Sequence, residues 1–223
     1  MASRMAELDP NHEAVKALER LVPEAMVTGG SFAGWLPHPR SVEPTAREAI
    51  ITSARAAAVA QCVRDLLRRV GVAEATRVGT EEGGERNWPA GFVGSLTHKG
   101  TVVLGVIASA GSVRMIGIDL ERTDGDDLAA IENSIAPEGL APGMDPATAR
   151  LVSFSVKEAV FKAQYPETRR RFGFADVQLT NWEHGGGYIR AAVRCPVDNL
   201  EMRASVAGNW VIAAAISRFE TGI

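Results

Sequence analysis

Apolar residues recur along the chain with two different periods. A spacing of three or four, typical of an amphipathic helix, predicts helices at Pro10–Leu21, Thr45–Val70 and Asp145–Tyr165. The third stretch has local boundary signals, because Asp145 can cap a helix and Pro146 fits its first turn. Pro166 is expected to end this helix, since proline cannot continue the hydrogen-bond pattern.

Short runs rich in β-branched residues predict strands. These runs are Thr101–Ser109, Val113–Leu120, Val177–Asn181, Tyr188–Arg194, Glu201–Val206 and Trp210–Ser217. Gly111 and Ser112 divide the chain near its middle, and a short helix is predicted beyond them at Leu128–Ser134. The order of elements indicates an α+β or α/β fold with much antiparallel pairing.

Composition and charge narrow the class of protein. The chain has 223 residues, 46% hydrophobic and 23% charged, so it can bury a full core in one or two compact units. A net charge of −3, without a basic block among aromatic residues, argues against nucleic-acid binding. Cys62 and Cys195 form neither a metal-binding spacing nor a disulfide framework, as expected in a reducing cytosol. Because no apolar stretch approaches the ~18 residues of a membrane span, we expect a soluble, cytoplasmic protein.

Two segments carry acidic side chains that a fold could bring together. The alternation of a strand puts Asp119 and Glu121 on one face. Glu158 and Lys162 are four apart in the last long predicted helix and share a face, with Lys157 beside them. Three carboxylates without His or Cys nearby in sequence are hard donors that suit Mg²⁺ or Mn²⁺, and the lysines suit phosphate. Together the segments predict a metal-dependent enzyme for a phosphorylated substrate, although each segment alone fits a solvated strand end or a surface ion pair.

Three motifs resemble the signatures of the 4′-phosphopantetheinyl transferases. They are Trp88–His98, Gly117–Glu121 and Phe154–Ala163, in the order and at about the separation that this family shows. The first is similar to an element of the single-chain members of the enterobactin-synthase and surfactin type. With weaker similarity further on, the resemblance runs from about Arg47 to Val177, which is most of the chain.

The resemblance implies a reaction. Enzymes of this family transfer the phosphopantetheine arm of coenzyme A to a serine of an acyl- or peptidyl-carrier protein and release adenosine 3′,5′-bisphosphate. Asp119, Glu121 and Glu158 match the family's metal-binding carboxylates, for which magnesium is the expected ion. Glu158 is also the expected general base, acting directly or through a water, and Lys162 is expected to stabilise charge on the leaving group.

The resemblance also implies which residues contact coenzyme A. Lys157 and Lys162 match family lysines that contact phosphate. His98 matches a phosphate-binding histidine, for which a capped loop histidine is the alternative interpretation. Ser95 and Thr97 are expected to add hydroxyl groups beside it.

Two arginines of the predicted long helix, Arg47 and Arg55, resemble a family pair that grips the nucleotide phosphate. The residues that precede Arg55 differ from the family's usual Glu-Phe and Gly-Arg pattern. The alternative interpretation is therefore that these two arginines are solvated surface residues. A basic residue that is usual near position 80 is also missing. Either Arg77 or Arg86 replaces it, or the grip on the 3′-phosphate is weaker.

The family architecture implies an α+β fold of two pseudosymmetric halves, each a small, mainly antiparallel sheet packed with a long helix. Residues 1–111 would hold the phosphates of coenzyme A, and residues 112–223 would carry the metal-binding and catalytic motifs. Because two halves in one chain could complete a cleft without a partner, we expect a monomer.

The run Arg169–Arg171 is expected to steer an acidic carrier protein, with plain surface charge an equal alternative. Two other functions stay open. One is a Mg²⁺-dependent pyrophosphate hydrolase that shares the carboxylates but not the protein acceptor. The other is a non-catalytic scaffold that binds carrier proteins.

Overall fold

Helices form where apolar residues recur at helical spacing. The computed structural model describes residues 12–38, 41–73, 76, 78–81, 84–125, 131, 135 and 140–219. Its helices include α1 (Glu13–Leu21), α2 (Pro44–Arg69) and α3 (Pro146–Thr168). The start predicted for α1, at Pro10, lies outside the described residues, as does the short helix at Leu128–Ser134 except for Ile131. Among the helices that are described, none is both long and apolar enough to cross a membrane.

The end of α3 differs from the sequence prediction. The helix continues through Pro166 to Thr168, so the expectation that Pro166 ends it is wrong. Proline removes only its own N–H, and the bond lost is the one that would reach the carbonyl of Lys162. The following turn still closes, because the Arg169 N–H donates to the Tyr165 carbonyl at 3.0 Å.

Antiparallel sheets make up each half of the molecule. A three-stranded sheet has the order β1-β5-β4, a five-stranded sheet has the order β6-β10-β9-β8-β7, and β2 and β3 form a separate two-stranded ribbon. The strands are β1 (Met26–Ser31), β2 (Gly79–Thr80), β3 (Arg86–Asn87), β4 (Phe92–Lys99), β5 (Val102–Ser109), β6 (Val113–Arg122), β7 (Gln178–Gly185), β8 (Tyr188–Arg194), β9 (Leu200–Ala207) and β10 (Trp210–Arg218). The predicted α+β class, with two sheet-bearing halves, is confirmed.

The six predicted strands are all present, but β1, β4 and the two short strands β2 and β3 were not predicted. β1 contains Gly29 and Gly30, a pair that is typical of a turn. In the structure a side chain at Gly29 would collide with the carbonyl oxygen of Val103 on β5, so this glycine permits close strand pairing instead. β4 carries mostly polar or small residues and lacks the run of β-branched residues that marks β5.

Alternation along β6 decides which side chains face α3. Ile116, Ile118 and Leu120 enter a core that β6 shares with α1 and β5. Met115 packs instead in the core that contains the apolar side chains of α3. From Met115 onwards, the odd-numbered residues of β6 therefore face α3, and Asp119 extends this series. The other long helix, α2, covers the opposite face of β5 in a third core.

β6 and α3 approach each other most closely at Gly117. A β-carbon at this position would overlap the carbonyl oxygen of Ala159 and the backbone nitrogen of Ala163. Glycine is therefore required because the helix backbone lies directly on the strand. The close contact places Asp119, two residues further along β6, beside the same face of α3.

Gly117→Ala should destabilise the fold, since the strand and helix must separate to admit one methyl group. We expect a loss of about 1–3 kcal/mol of unfolding free energy, measured by urea denaturation. Gly111→Ala is the matched control, because a β-carbon there meets only the Ser109 hydroxyl, at 3.5 Å. Equal stability of the two variants would contradict this account of the strand–helix contact.

Candidate functional site

The Asp119 carboxylate joins three elements of the structure. The side chain lies on β6 and is only 4% exposed. One of its oxygens accepts a hydrogen bond from the Lys162 ammonium at 2.6 Å, and the other accepts one from the Ser155 hydroxyl at 2.9 Å, both from α3. A longer contact, 3.4 Å, reaches the Thr97 hydroxyl on β4. The structure thus brings Asp119, Lys162 and Thr97, all proposed from sequence, to one place.

Glu121 has a different lysine as its partner. Its carboxylate lies 2.5 Å from the Lys99 ammonium on β4. The two acidic residues of β6 are both buried, and each is neutralised by a lysine from a neighbouring element. Lys99 was not proposed from sequence, although it directly follows His98 at the end of the first motif.

Glu158 is half-buried on α3, one turn before Lys162. Burial raises the pKa of the Glu158 carboxyl, and the negative charge of Asp119 raises it further, while Lys162 acts in the opposite direction. Electrostatic coupling to both residues places Glu158 at the same site. A carboxylate with a raised pKa holds a proton more readily, as a general base must.

The three predicted metal ligands are hard oxygen donors at or near one site, which fits Mg²⁺ or Mn²⁺. Within the described residues, however, no three His, Cys, Asp or Glu side chains are gathered closely enough to hold a metal ion as they stand. Lys162 lies beside Asp119 and Lys99 lies beside Glu121, so each supplies positive charge to one of these carboxylates.

A cleft of about 340 Å³ opens beside these residues. Its lining combines hydroxyl, basic, acidic and aromatic side chains: Ser95, Thr97, His98, Glu85, Arg86, Glu158, Lys162, Phe161 and Tyr165. The Ser95 hydroxyl accepts a hydrogen bond from the Ile118 N–H at 3.1 Å, which leaves its own proton available for a ligand. Three basic side chains in the lining, those of Arg86, His98 and Lys162, make the cleft suitable for phosphate groups.

His98 lies in a positively charged environment. Partial desolvation lowers its pKa, and Arg55 and then Lys162 lower it further. Arg55 therefore lies within electrostatic range of His98. His98 belongs to β4, so its interpretation as a capped loop residue is wrong.

Arg47 and Arg55 both lie on α2 and are half-buried. In each, the guanidinium Nε is buried and has no hydrogen-bond partner in the described part of the chain. The alternative of fully solvated surface arginines therefore does not describe them. The structure links Arg55 to the cleft through His98, whereas the position of Arg47 relative to the cleft is supported only by the shared helix. Of the two candidates for the missing basic residue, Arg86 lines the cleft and Arg77 lies outside the described residues.

Lys157 faces a different cavity. This cavity has a volume of about 240 Å³ and is lined by residues that include Phe172 and Phe174. The Lys157 ammonium donates to the Phe174 carbonyl at 2.8 Å, and burial lowers the pKa of Lys157. Glu158 and Phe161 line both this aromatic cavity and the basic cleft. Glu158 therefore stands at the boundary between a charged and an apolar space.

Comparison with known proteins matches two regions of the chain to family models. Residues 115–215 match the 4′-phosphopantetheinyl transferase superfamily, and residues 51–108 match the 4′-phosphopantetheinyl transferase N-terminal domain. These regions contain most of the site residues described above. They lie on either side of Gly111.

Several curated proteins are similar to this chain. The 4′-phosphopantetheinyl transferase PptT of Mycobacterium tuberculosis is 35% identical over 126 residues, 55% of each chain. Enterobactin synthase component D of Escherichia coli is 38% identical over 101 residues, 43% of this chain and 46% of the relative. The 4′-phosphopantetheinyl transferase Npt of Nocardia iowensis is 30% identical over 148 residues, 61% of this chain and 67% of the relative. The chain thus spans about half the length of the first two relatives.

His98 should make stability depend on pH. Because its pKa is lowered in the folded state, the unfolded chain binds the proton more readily, and unfolding free energy should fall as pH drops below about 6.5. His98→Gln should flatten this dependence in urea titrations between pH 5 and 8. His184→Gln, at an exposed position on β7, is the control and should retain the wild-type slope. Identical slopes for all three proteins would contradict the proposed environment of His98.

Proposed function

Because this chain belongs to the 4′-phosphopantetheinyl transferase family, we propose that it transfers the 4′-phosphopantetheine arm of coenzyme A to a serine of an acyl- or peptidyl-carrier protein. The other product is adenosine 3′,5′-bisphosphate. One observation carries the proposal: Asp119 on β6 and the Glu158–Lys162 face of α3 meet beside a basic cleft.

The basic cleft is the proposed site for the phosphates of coenzyme A. His98, Arg86 and Lys162 line it, Arg55 acts on His98, and the Ser95 and Thr97 hydroxyls face the same space. On this proposal, residues 1–111 supply most of the phosphate contacts and residues 112–223 supply the reacting groups. Arg47 is included through its place on α2, and Lys157 would act from the aromatic cavity rather than from the cleft.

The aromatic cavity suits the pantetheine arm, which is long and largely uncharged. If the nucleotide lies in the basic cleft and the arm in this cavity, the pyrophosphate must pass Glu158, since Glu158 borders both spaces. The scissile bond would then lie where a base is available. This placement connects the chemistry of the substrate with the two different linings.

Glu158 is the proposed general base. The serine oxygen would attack the phosphorus next to the arm, a new P–O bond would form as the pyrophosphate P–O bond breaks, and the serine proton would pass to Glu158, directly or through a water. The ammonium of Lys162 would stabilise negative charge on the departing bisphosphate.

Asp119, Glu121 and Glu158 are the proposed ligands of Mg²⁺, with Mn²⁺ as the other suitable ion. Such an ion would neutralise charge on the pyrophosphate and orient it for attack. Because Lys162 and Lys99 already neutralise two of these carboxylates, their ammonium groups would become free to contact phosphate oxygens when the ion binds. Each lysine would then pair with a carboxylate before the ion binds and contact phosphate afterwards.

The carrier protein and coenzyme A are the proposed partners, and neither nucleic acid nor membrane is among them. We propose that the protein is cytoplasmic. We also propose that it acts as a monomer, because β4 and α3 of one chain already supply partners on both sides of Asp119. A pyrophosphate hydrolase and a non-catalytic scaffold are the competing functions, and product analysis separates all three.

Glu158→Gln should abolish most of the transfer while the protein stays folded, since the amide keeps the size of the side chain but cannot accept the proton. With coenzyme A, Mg²⁺ and an apo-carrier protein, we expect kcat to fall about 10²–10⁴-fold. Mass spectrometry of the carrier measures the added phosphopantetheine. Glu167→Gln is the control, because Glu167 lies on the same helix but is exposed and pairs with Arg114.

The wild-type products decide among the three functions. A modified carrier supports the transferase, whereas free phosphopantetheine with an unmodified carrier would indicate a hydrolase. Neither product, together with carrier binding that survives Glu158→Gln, would indicate a scaffold.

The basic run Arg169–Arg171 is proposed to steer the carrier protein, and the test changes two of its charges, Arg170 and Arg171. Both are exposed. Arg170→Gln with Arg171→Gln should lower kcat/KM for an acidic carrier, roughly tenfold at low salt, and the loss should shrink as salt screens the charges. The KM for coenzyme A should not change. Arg64→Gln with Arg68→Gln, two exposed charges of α2, is the matched control, and an equal effect in both pairs would contradict specific steering.

A further inference from the structure

Glu85 is a buried acid that the proposed reaction does not use. Its side chain is 6% exposed and directly precedes β3. Neither carboxylate oxygen makes a hydrogen bond of good geometry within the described residues, so the charge depends on an ion pair with Arg169. Burying a carboxylate with one cationic partner costs folding free energy. The presence of such a pair therefore suggests that it has a role.

The pair spans the two halves of the chain. Glu85 belongs to the segment that carries the β2–β3 ribbon, and Arg169 caps the C-terminal end of α3. Glu85 lines the basic cleft, and both residues also line a second groove of about 320 Å³, whose lining includes Trp88, Phe92 and Met115. The ion pair therefore stands in the wall between the cleft and this groove.

The backbone conformation of Arg169 also indicates that its side chain has a role at this position. Arg169 has a φ of +56°, the left-handed conformation that glycine usually provides at a helix end. An arginine here keeps a conformational cost that glycine would remove. Its guanidinium also lies 6.0 Å from the ring centre of Tyr165, another residue of the cleft wall.

Among the described residues, the β2–β3 ribbon has no strand pairing with either larger sheet. Each of its strands is two residues long and pairs only with the other. So short a ribbon is not stable without outside contacts. Yet Arg86, on β3, lines the basic cleft and must be held in place if it is to contact a phosphate.

We infer that the Glu85–Arg169 pair is a clasp that fixes the β2–β3 ribbon to the end of α3 and so positions Arg86 in the cleft. Glu85 and Arg169 are positioning residues in this account and do not touch the reacting atoms. The predicted effect on coenzyme A rests on the proposed function, whereas the predicted effect on the ribbon does not.

Two variants open the clasp by different routes. Arg169→Gly removes the cation while favouring the left-handed helix end, so any fall in melting temperature reports the unpaired Glu85 carboxylate and not the helix end. Glu85→Gln removes the anion with little change in size. In both, amide hydrogen exchange across residues 79–81 and 84–87 should become faster, and the KM for coenzyme A should rise roughly tenfold while kcat stays within about twofold.

A charge exchange and a matched control complete the test. Glu85→Arg with Arg169→Glu should recover slow exchange and a KM closer to wild type than either single reversal. Arg114→Gln breaks another Arg–Glu pair at the same end of α3, but one that joins β6 and α3 within a single half. It should leave both the exchange and the KM unchanged.

The outcomes are separable. Slow exchange of the ribbon in Arg169→Gly, or a charge exchange no better than the single reversals, would overturn the clasp. Fast exchange with an unchanged coenzyme A KM would overturn the positioning of Arg86. Absence of transfer by the wild-type protein would count against the proposed function alone, because hydrogen exchange still reports on the clasp.

Discussion

The buried carboxylate of Asp119 is the interaction on which the site depends. Burying this charge is unfavourable unless it is paired and hydrogen-bonded, and its partners come from α3 and β4. The charge therefore fixes a strand of one half and the long helix of the other around a single point. Gly117 permits this, because only glycine lets the backbones of β6 and α3 come so close. Backbone packing and site assembly thus arise from the same contact.

Much of this arrangement could be predicted from the sequence, because its signals are local. The period of β6 placed Asp119 and Glu121 together, and the period of α3 placed Glu158 beside Lys162. The α+β class and six strands follow from similar patterns. β1 was not predicted because its two adjacent glycines are typical of a turn, whereas here glycine allows close pairing with the neighbouring strand. Pro166 was misjudged because a proline in the last turn costs only one hydrogen bond.

Other parts of the site leave no local signal. Glu85 and Arg169 are 84 positions apart, and nothing around either residue marks it as the partner of the other. Ser155 belongs to a recognised motif and Lys99 directly follows another, yet their carboxylate partners become known only when the strands and α3 are packed. Lys157 shows the converse. It adjoins Glu158 in sequence but contacts the Phe174 carbonyl, because successive residues of a helix point about 100° apart.

That divergence of neighbouring side chains gives the site two environments. Glu158 lies between a cleft with basic walls and a cavity with aromatic walls, so a substrate with one charged and one uncharged end can be oriented without a dedicated contact at every atom. The same position explains the raised pKa of Glu158, since the apolar side desolvates the carboxylate and Asp119 repels its charge. In the protein without a metal ion, the positive charge of Lys162 stabilises the Glu158 anion. A divalent cation at the same carboxylates would stabilise it more strongly. The two linings thus meet at the carboxylate whose pKa is raised by burial and by Asp119.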